Sequence, residues 1–172
     1  MSNRVRASIN EELSNSNVEE SLWCNVELNQ QRLLVGLCYR CPTCTAENND
    51  KLLQTIEKAV LRTTSDHVLI MGDFNYPKIN YVDETVTAAA NDLSAMFFNK
   101  TQELCLFQHV TEVTRVRQCQ TPSTLDYVFT DQENLIDAIT YKLPLAKSDH
   151  VILHWNLLLA LPDITRTHQE MR

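Results

Sequence analysis

A chain of 172 residues, 44% hydrophobic and 22% charged, is sized for one packed domain and is not composed like a disordered segment. Its net charge of −7 argues against holding nucleic acid by bulk charge alone. Carboxylates that bind a divalent cation remain compatible with it, because the cation reverses the local sign. Only two glycines occur, Gly36 and Gly72, so no Gly-rich phosphate loop can be built.

Residues 1–19 are polar, rich in Asn, Ser and Glu, and read as a leader. SLWCNVEL (21–28) alternates as a strand does, NQQ (29–31) makes a turn, and RLLVGLCYR (32–40) follows as the second arm of a hairpin. The apolar core of that second arm suggests burial on both faces. After Pro42 a helix is expected from Thr45 to about Arg62. Thr45 is placed to cap it, Glu47 and Asp50 suit the first turn, and Leu52, Leu53, Ile56, Ala59 and Val60 form one stripe. HVLIMG (67–72) reads as a buried strand. A second amphipathic helix is expected from about Thr87 to Leu104, with Leu93, Met96, Phe97 and Leu104 inward. Strands are expected at 124–131, 135–143 and 150–159, and the tail from 161 to 172 is polar. The order is that of an α/β layered domain over residues 20–160. Two helices can cover one face of its sheet, which leaves the other face in need of a cover.

No apolar run reaches the length of a membrane span, and the N-terminus has no apolar stretch of signal-peptide type. An intracellular protein is expected. Cys38, Cys41 and Cys44 are spaced C-x-x-C-x-x-C, yet a structural zinc site needs a fourth ligand, and Cys24, Cys105 and Cys119 are scattered singly. Cys38 lies in an apolar run, where a free thiol behaves as a small hydrophobe. It is expected in the core, with Cys41 and Cys44 in the loop beyond.

Three stretches carry polar groups where core strands end or begin. In IMGDFNYP (70–77), Asp73 and Asn75 flank Phe74, and two residues so spaced share one face of an extended chain. In STLDYVF (123–129), Asp126 sits between Leu125 and Tyr127. In KSDHVIL (147–153), Asp149 and His150 adjoin a strand. Such carboxylates must be hydrogen-bonded, paired or metal-bound, and the imidazole titrates near neutrality. Taken singly, each stretch also reads as an ordinary turn or a satisfied core histidine.

Together with GLCYRCP (36–42), these motifs resemble the endonuclease/exonuclease/phosphatase superfamily. GDFN followed by a late SDH is the specific part, and RVRQCQTPSTLDYVFT and GDFNYPKINY are most similar to non-LTR retrotransposon endonuclease domains. The resemblance implies a four-layer α/β sandwich, two facing mixed sheets flanked by helices. It implies hydrolysis of a phosphodiester with Mg²⁺ or Mn²⁺, nucleic acid (DNA favoured) as substrate, and a nuclear site of action. Asp73 matches the aspartate that orients or deprotonates the attacking water, and it also serves the metal. Asn75 and Tyr39 match groups that contact the phosphate. His150 matches the histidine that stabilises phosphoryl oxygens, Asp126 the carboxylate that fixes its tautomer, and Asp149 a metal-associated acid. Arg115 and Arg117, just before STLDYVF, are candidates for phosphate contact.

Complete members begin with a longer N-terminal half that carries the principal metal-ligand glutamate. Here Glu11, Glu12, Glu19 and Glu20 lie in the polar leader, Thr43 follows Pro42 where asparagine is common, and Cys41 and Cys119 replace small polar residues or glycine. The chain therefore reads as the C-terminal half of such a domain. It is expected to need the other half, or self-association, to cover an apolar sheet face. The alternative is a non-catalytic remnant of a mobile-element endonuclease.

Overall fold

Apolar alternation places RLLVGLCYR and HVLIMGD side by side at the centre of a six-stranded sheet. The computed structural model describes residues 5–15, 20–28 and 30–159. In chain order the elements are β1 (Arg6–Ile9), α1 (Glu11–Ser14), β2 (Ser21–Leu28), β3 (Gln31–Tyr39), α2 (Ala46–Arg62), β4 (His67–Asp73), β5 (Ile79–Asn80) and β6 (Thr85–Val86). Next come α3 (Leu93–Glu103), β7 (Phe107–Gln108), β8 (Asp126–Thr130), a 3₁₀ turn (Glu133–Leu135), β9 (Thr140–Lys142) and β10 (Ile152–His154). The main sheet runs β1-β2-β3-β4-β8-β7, and β9 with β10 and β5 with β6 form separate ribbons. β3 and β4 are parallel, joined by the α2 crossover, whereas β4 and β8 are antiparallel. The fold is mixed α/β.

Each sheet face has its own core. On the helix side Trp23, Leu34, Val68, Ile70, Tyr127 and Phe129 pack against Leu52, Ile56 and Phe97. On the opposite side Leu33, Leu69 and Val128 pack with Val110, Leu135 and Ile136, and Leu153 and Trp155 close over them. The face expected to lack a cover is therefore partly covered, by the β9–β10 layer. Its remainder, over β2 and β3, stays open. There the cross-strand partners Leu22 and Leu37 are 41% and 46% exposed. Among the described residues the second facing sheet of the expected sandwich is present only as this two-stranded ribbon.

Several boundaries differ from expectation. Part of the polar leader is structured: β1 pairs antiparallel with β2, and Leu13 of α1 is buried. The strand is legible only from its neighbour, because all four β1 residues are exposed and carry no burial period. Residues 1–4, 16–19, 29 and 160–172, which include parts of the leader and turn and all of the tail, lie outside the described residues.

The second helix begins at Leu93 rather than Thr87. Asp92 caps it by accepting from the Ser94 amide at 2.9 Å, and the β5–β6 ribbon occupies the chain just before. Met96, expected inward, lies at the surface of α3, whereas Phe97 is fully buried. The last two strands are shorter than their apolar runs, since the 3₁₀ turn takes up Glu133–Leu135 and β10 spans three residues.

Candidate active site

Three strand ends meet at one rim of the sheet. Tyr39 ends β3, Asp73 ends β4 and Asp126 begins β8, and the register sets Tyr39 beside Asp73 and Asp73 opposite Asp126. Within β4 and β8, Leu69, Met71 and Val128 belong to the second core. Alternation therefore turns Asp73 and Asp126 toward that same face. The rim lies at the C-terminal ends of the parallel pair β3 and β4, where α/β sheets commonly place their chemistry.

Phe74 explains why Asp73 is turned outward. Its ring is fully buried among Phe97, Tyr127 and Phe129, with centroids 5.2 to 5.8 Å away. With Phe74 driven into the core, Asp73 before it faces the rim. Asn75 leaves the extended path, at φ 51°, a left-handed conformation that asparagine tolerates. Its backbone N–H donates to Asp73 Oδ1 at 3.2 Å, and its side-chain amide donates to the Arg40 carbonyl at 2.8 Å. Arg40 returns the contact, Nη1 to the Asn75 carbonyl at 3.1 Å, with its guanidinium 4.2 Å from the Tyr76 ring centroid.

His150 arrives from the segment before β10. Its backbone bridges to Arg115, and its Nδ1 lies 2.8 Å from Asp126 Oδ2. An ionised carboxylate only accepts, so Nδ1 carries the proton and Nε2 faces outward as the free ring nitrogen. Ligand-type atoms of Asp73, Asp126 and His150 lie within 4.8 Å of one another, a grouping of three with the spread a metal ion requires.

Asp149 lies outside this grouping. Arg115 Nε holds its carboxylate at 3.0 Å, while His150 Nε2 is 4.0 Å from it. The hydrogen bond from Arg115 pulls the Asp149 carboxyl below the usual carboxylate range. Arg115 is thus engaged by an acid, whereas Arg117, two residues on, is exposed. Tyr39 is exposed at the rim, and partial desolvation, followed by the charges of Cys41, Asp73 and Glu20, raises its phenol's pKa. Burial, and then the facing Asp126, raise the pKa of Asp73.

Two positioning residues escape sequence reasoning. Arg40 is buried and clamps the Asn75 loop to the end of β3. A cation at an inward position of an alternating strand was the available signal. Thr114 is fully buried, and its hydroxyl accepts from the amides of both Leu125 and Asp126, at 3.0 and 3.1 Å. It fixes the start of β8, and nothing in the sequence around it marks that role.

The cysteine triplet points apart. Cys38 is buried, Cys41 is exposed, and Cys44 is partly covered. Burial pushes the Cys38 thiol up to about 12, whereas a hydrogen bond with Thr43 lowers that of Cys41. Alkylation of the native protein is expected to label Cys41 early and Cys38 only after unfolding. Peptide mass spectrometry that found Cys38 modified at the native rate of Cys41 would contradict this placement.

The family model described as endonuclease-reverse transcriptase matches residues 33–154. The chain belongs to this family. No curated protein matches the chain.

Solved structures similar to this endonuclease-reverse transcriptase family member show its fold. The endonuclease domain of TRAS1, a telomere-specific non-LTR retrotransposon, superposes with a TM-score of 0.66 at 16% identity, covering 90% of this chain and 69% of that one. The 3′ phosphatase NExo from Neisseria, bound to a product DNA hairpin, gives 0.58 at 11% identity, covering 90% and 70%. An endonuclease/exonuclease/phosphatase family protein from Leptotrichia buccalis gives 0.54 at 17% identity, covering 80% of this chain and 53% of its own. No helix among the described residues is long and apolar enough to cross a membrane.

Proposed function

We propose that this chain is a retrotransposon-derived, divalent-metal-dependent phosphodiesterase of endonuclease type, acting on DNA. The observation that carries this reading is the 2.8 Å His150–Asp126 hydrogen bond beside Asp73, on the scaffold of this family. Asp73 is the group to orient the attacking water and accept its proton. Partial burial, and then the facing Asp126, make that carboxylate more basic than usual, which suits a proton acceptor. Protonated at Nε2, His150 donates to a non-bridging phosphoryl oxygen, while Asp126 holds its ring in place. Tyr39 and the second N–H of the Asn75 amide would donate to the same phosphate.

The residues fit a hard cation. Mg²⁺ is held by one or two carboxylates together with substrate phosphates. Asp73 and Asp126 supply such a pair, and a cation would relieve the repulsion between them. When bound, Mg²⁺ or Mn²⁺ supplies charge stabilisation at the phosphoryl oxygens. Asp149, tied to Arg115, keeps a place at the edge of this site. The solved relatives are longer than the stretch this chain matches, so we propose that a segment from a complete relative raises its rate.

The test is nicking of supercoiled DNA with Mg²⁺ or Mn²⁺ by wild type and Asp73→Asn. The variant is expected to lose cleavage and yet to gain stability in metal-free buffer. A raised native pKa means that stability is greatest below the unfolded value near 3.8. It is lost as pH rises through the native pKa, so the uncharged amide escapes that loss. Thermal melts above and below this window check the sign. A variant less stable than wild type at neutral pH, or one that still cleaves, would remove Asp73 from its role. Equal, metal-independent rates for both proteins would favour the non-catalytic remnant.

A further inference from the structure

Beyond His150 the two loops that carry the site continue side by side and form a basic cleft. The Arg115–His150 bridge is followed by a 2.9 Å bond from the Val116 amide to the Asp149 carbonyl. Beyond that bond Arg117 lies two residues after Arg115, and Lys147 three residues before His150. Arg117, Gln118, Lys147 and Ser148 line an open cleft of about 450 Å³ that ends at Asp149. Among the described residues no carboxylate pairs with Arg117 or Lys147, whereas Arg115 neutralises the one acid at the cleft's end. In a chain of net charge −7, two unpaired cations on facing loops beside the candidate site form a local field that bulk charge does not supply.

We propose that Arg117 and Lys147 form a second phosphate subsite, which grips the backbone of a polynucleotide strand beyond the phosphate being hydrolysed. This rests on the phosphodiesterase reading and sharpens it, because a small phosphate ester has nothing to place there. At about 3.3 Å per extended residue, the cleft lies roughly 7 to 10 Å along the paired loops from His150. A strand rising about 3.4 Å per nucleotide covers that span in two to three steps. Gln118 and Ser148 add neutral donors for phosphate oxygens. Contacts of this kind set register and affinity and carry no base sequence.

The experiment separates binding from cleavage. Fluorescence anisotropy of labelled duplex and single-stranded DNA is measured in metal-free buffer across a range of salt, for wild type and R117Q/K147Q. Loss of two phosphate contacts is expected to flatten the slope of log K against log salt by about 1.8 for duplex and about 1.4 for a single strand. R117K/K147R is expected to restore it. A control, K51Q/K58Q, makes the same change in net charge at lysines that α2 pairs with Glu47 and Glu12, and is expected to leave the slope in place. An unchanged slope in R117Q/K147Q, an equal loss in the control, or a wild type that binds neither DNA overturns the subsite. A flattened slope in a protein that never cleaves would leave the subsite standing and sink the catalytic reading instead.

Discussion

His150→Ala is expected to lower metal-dependent hydrolysis by about 10²- to 10⁴-fold, the range a positioned proton carrier contributes. The ring is fixed from two sides. Asp126 accepts from Nδ1 at 2.8 Å, and the backbone of residue 150 is tied into the loop that carries Arg115. Alanine keeps the backbone pairing and removes the group proposed to meet the phosphate, so the loss is expected in kcat more than in KM. Asp126→Asn leaves a partner for the ring but offers a donor as well as an acceptor, so the ring is held less uniquely. It is expected to fall between wild type and the alanine variant. The double variant is expected to lose less than the product of the two single losses, because the two residues share one hydrogen bond. Rates for the single variants that multiplied in the double would show that His150 and Asp126 work separately, and wild-type cleavage by His150→Ala would remove the pair from the mechanism.

The approach of two carboxylates gives this site its character. Asp73 and Asp126 stand directly opposite in register, an arrangement that destabilises a sheet when both are charged. Native stability is therefore expected to rise when a divalent cation is added, by an amount that grows with its concentration. Burial, and after it the same repulsion, keeps the Asp73 carboxyl above its ordinary range. Stability given up at this rim is consistent with its use as a site.

Much of this arrangement was legible from the sequence. The runs VGLCY and LIMGD are apolar on both faces, so neighbouring central strands follow, and their polar ends must then share a rim. What stayed hidden depended on contacts distant in the chain. The capture of Asn75 by Arg40 required knowing that the ends of β3 and β4 lie abreast. The tie from Arg115 to Asp149 spans 34 positions, and it places outside the acidic cluster a residue expected to serve the metal. The polar leader carries a strand, β1, that has no buried face of its own, so its pairing is set by β2. Helix α3 begins late because Asp92, not an earlier threonine, finds an amide to cap. Local patterns therefore showed which strands form and where their polar ends fall, while side-chain pairing across the rim came from tertiary placement.

Gly72→Ala is expected to be the most damaging single-methyl change in the chain. Gly72 sits between Met71 and Asp73 at φ 148°, and a Cβ built there would lie 1.7 Å from the Cys38 carbonyl oxygen. That atom belongs to the backbone of β3, whose parallel register pairs Cys38 with Gly72, so no side-chain rotation relieves the clash. Overpacking a core commonly costs about 1–3 kcal/mol, and an unfavourable backbone conformation adds about 1–3 kcal/mol. Together these approach the 5–15 kcal/mol that holds a typical domain folded. Gly36 makes a useful contrast, since its Cβ would meet the Trp23 ring at 2.5 Å, a side chain rather than a strand. Trp23 is fully buried, so Gly36→Ala is also expected to destabilise, by a smaller amount because the ring can shift. Urea unfolding read by tryptophan fluorescence ranks the two, with a lower midpoint expected for Gly72→Ala. Any Gly72→Ala protein that does fold is expected to have a displaced Asp73 and to cleave poorly at temperatures where it remains native. A variant with the wild-type midpoint would mean that the close approach of β3 and β4 at this rim is not what the native chain adopts.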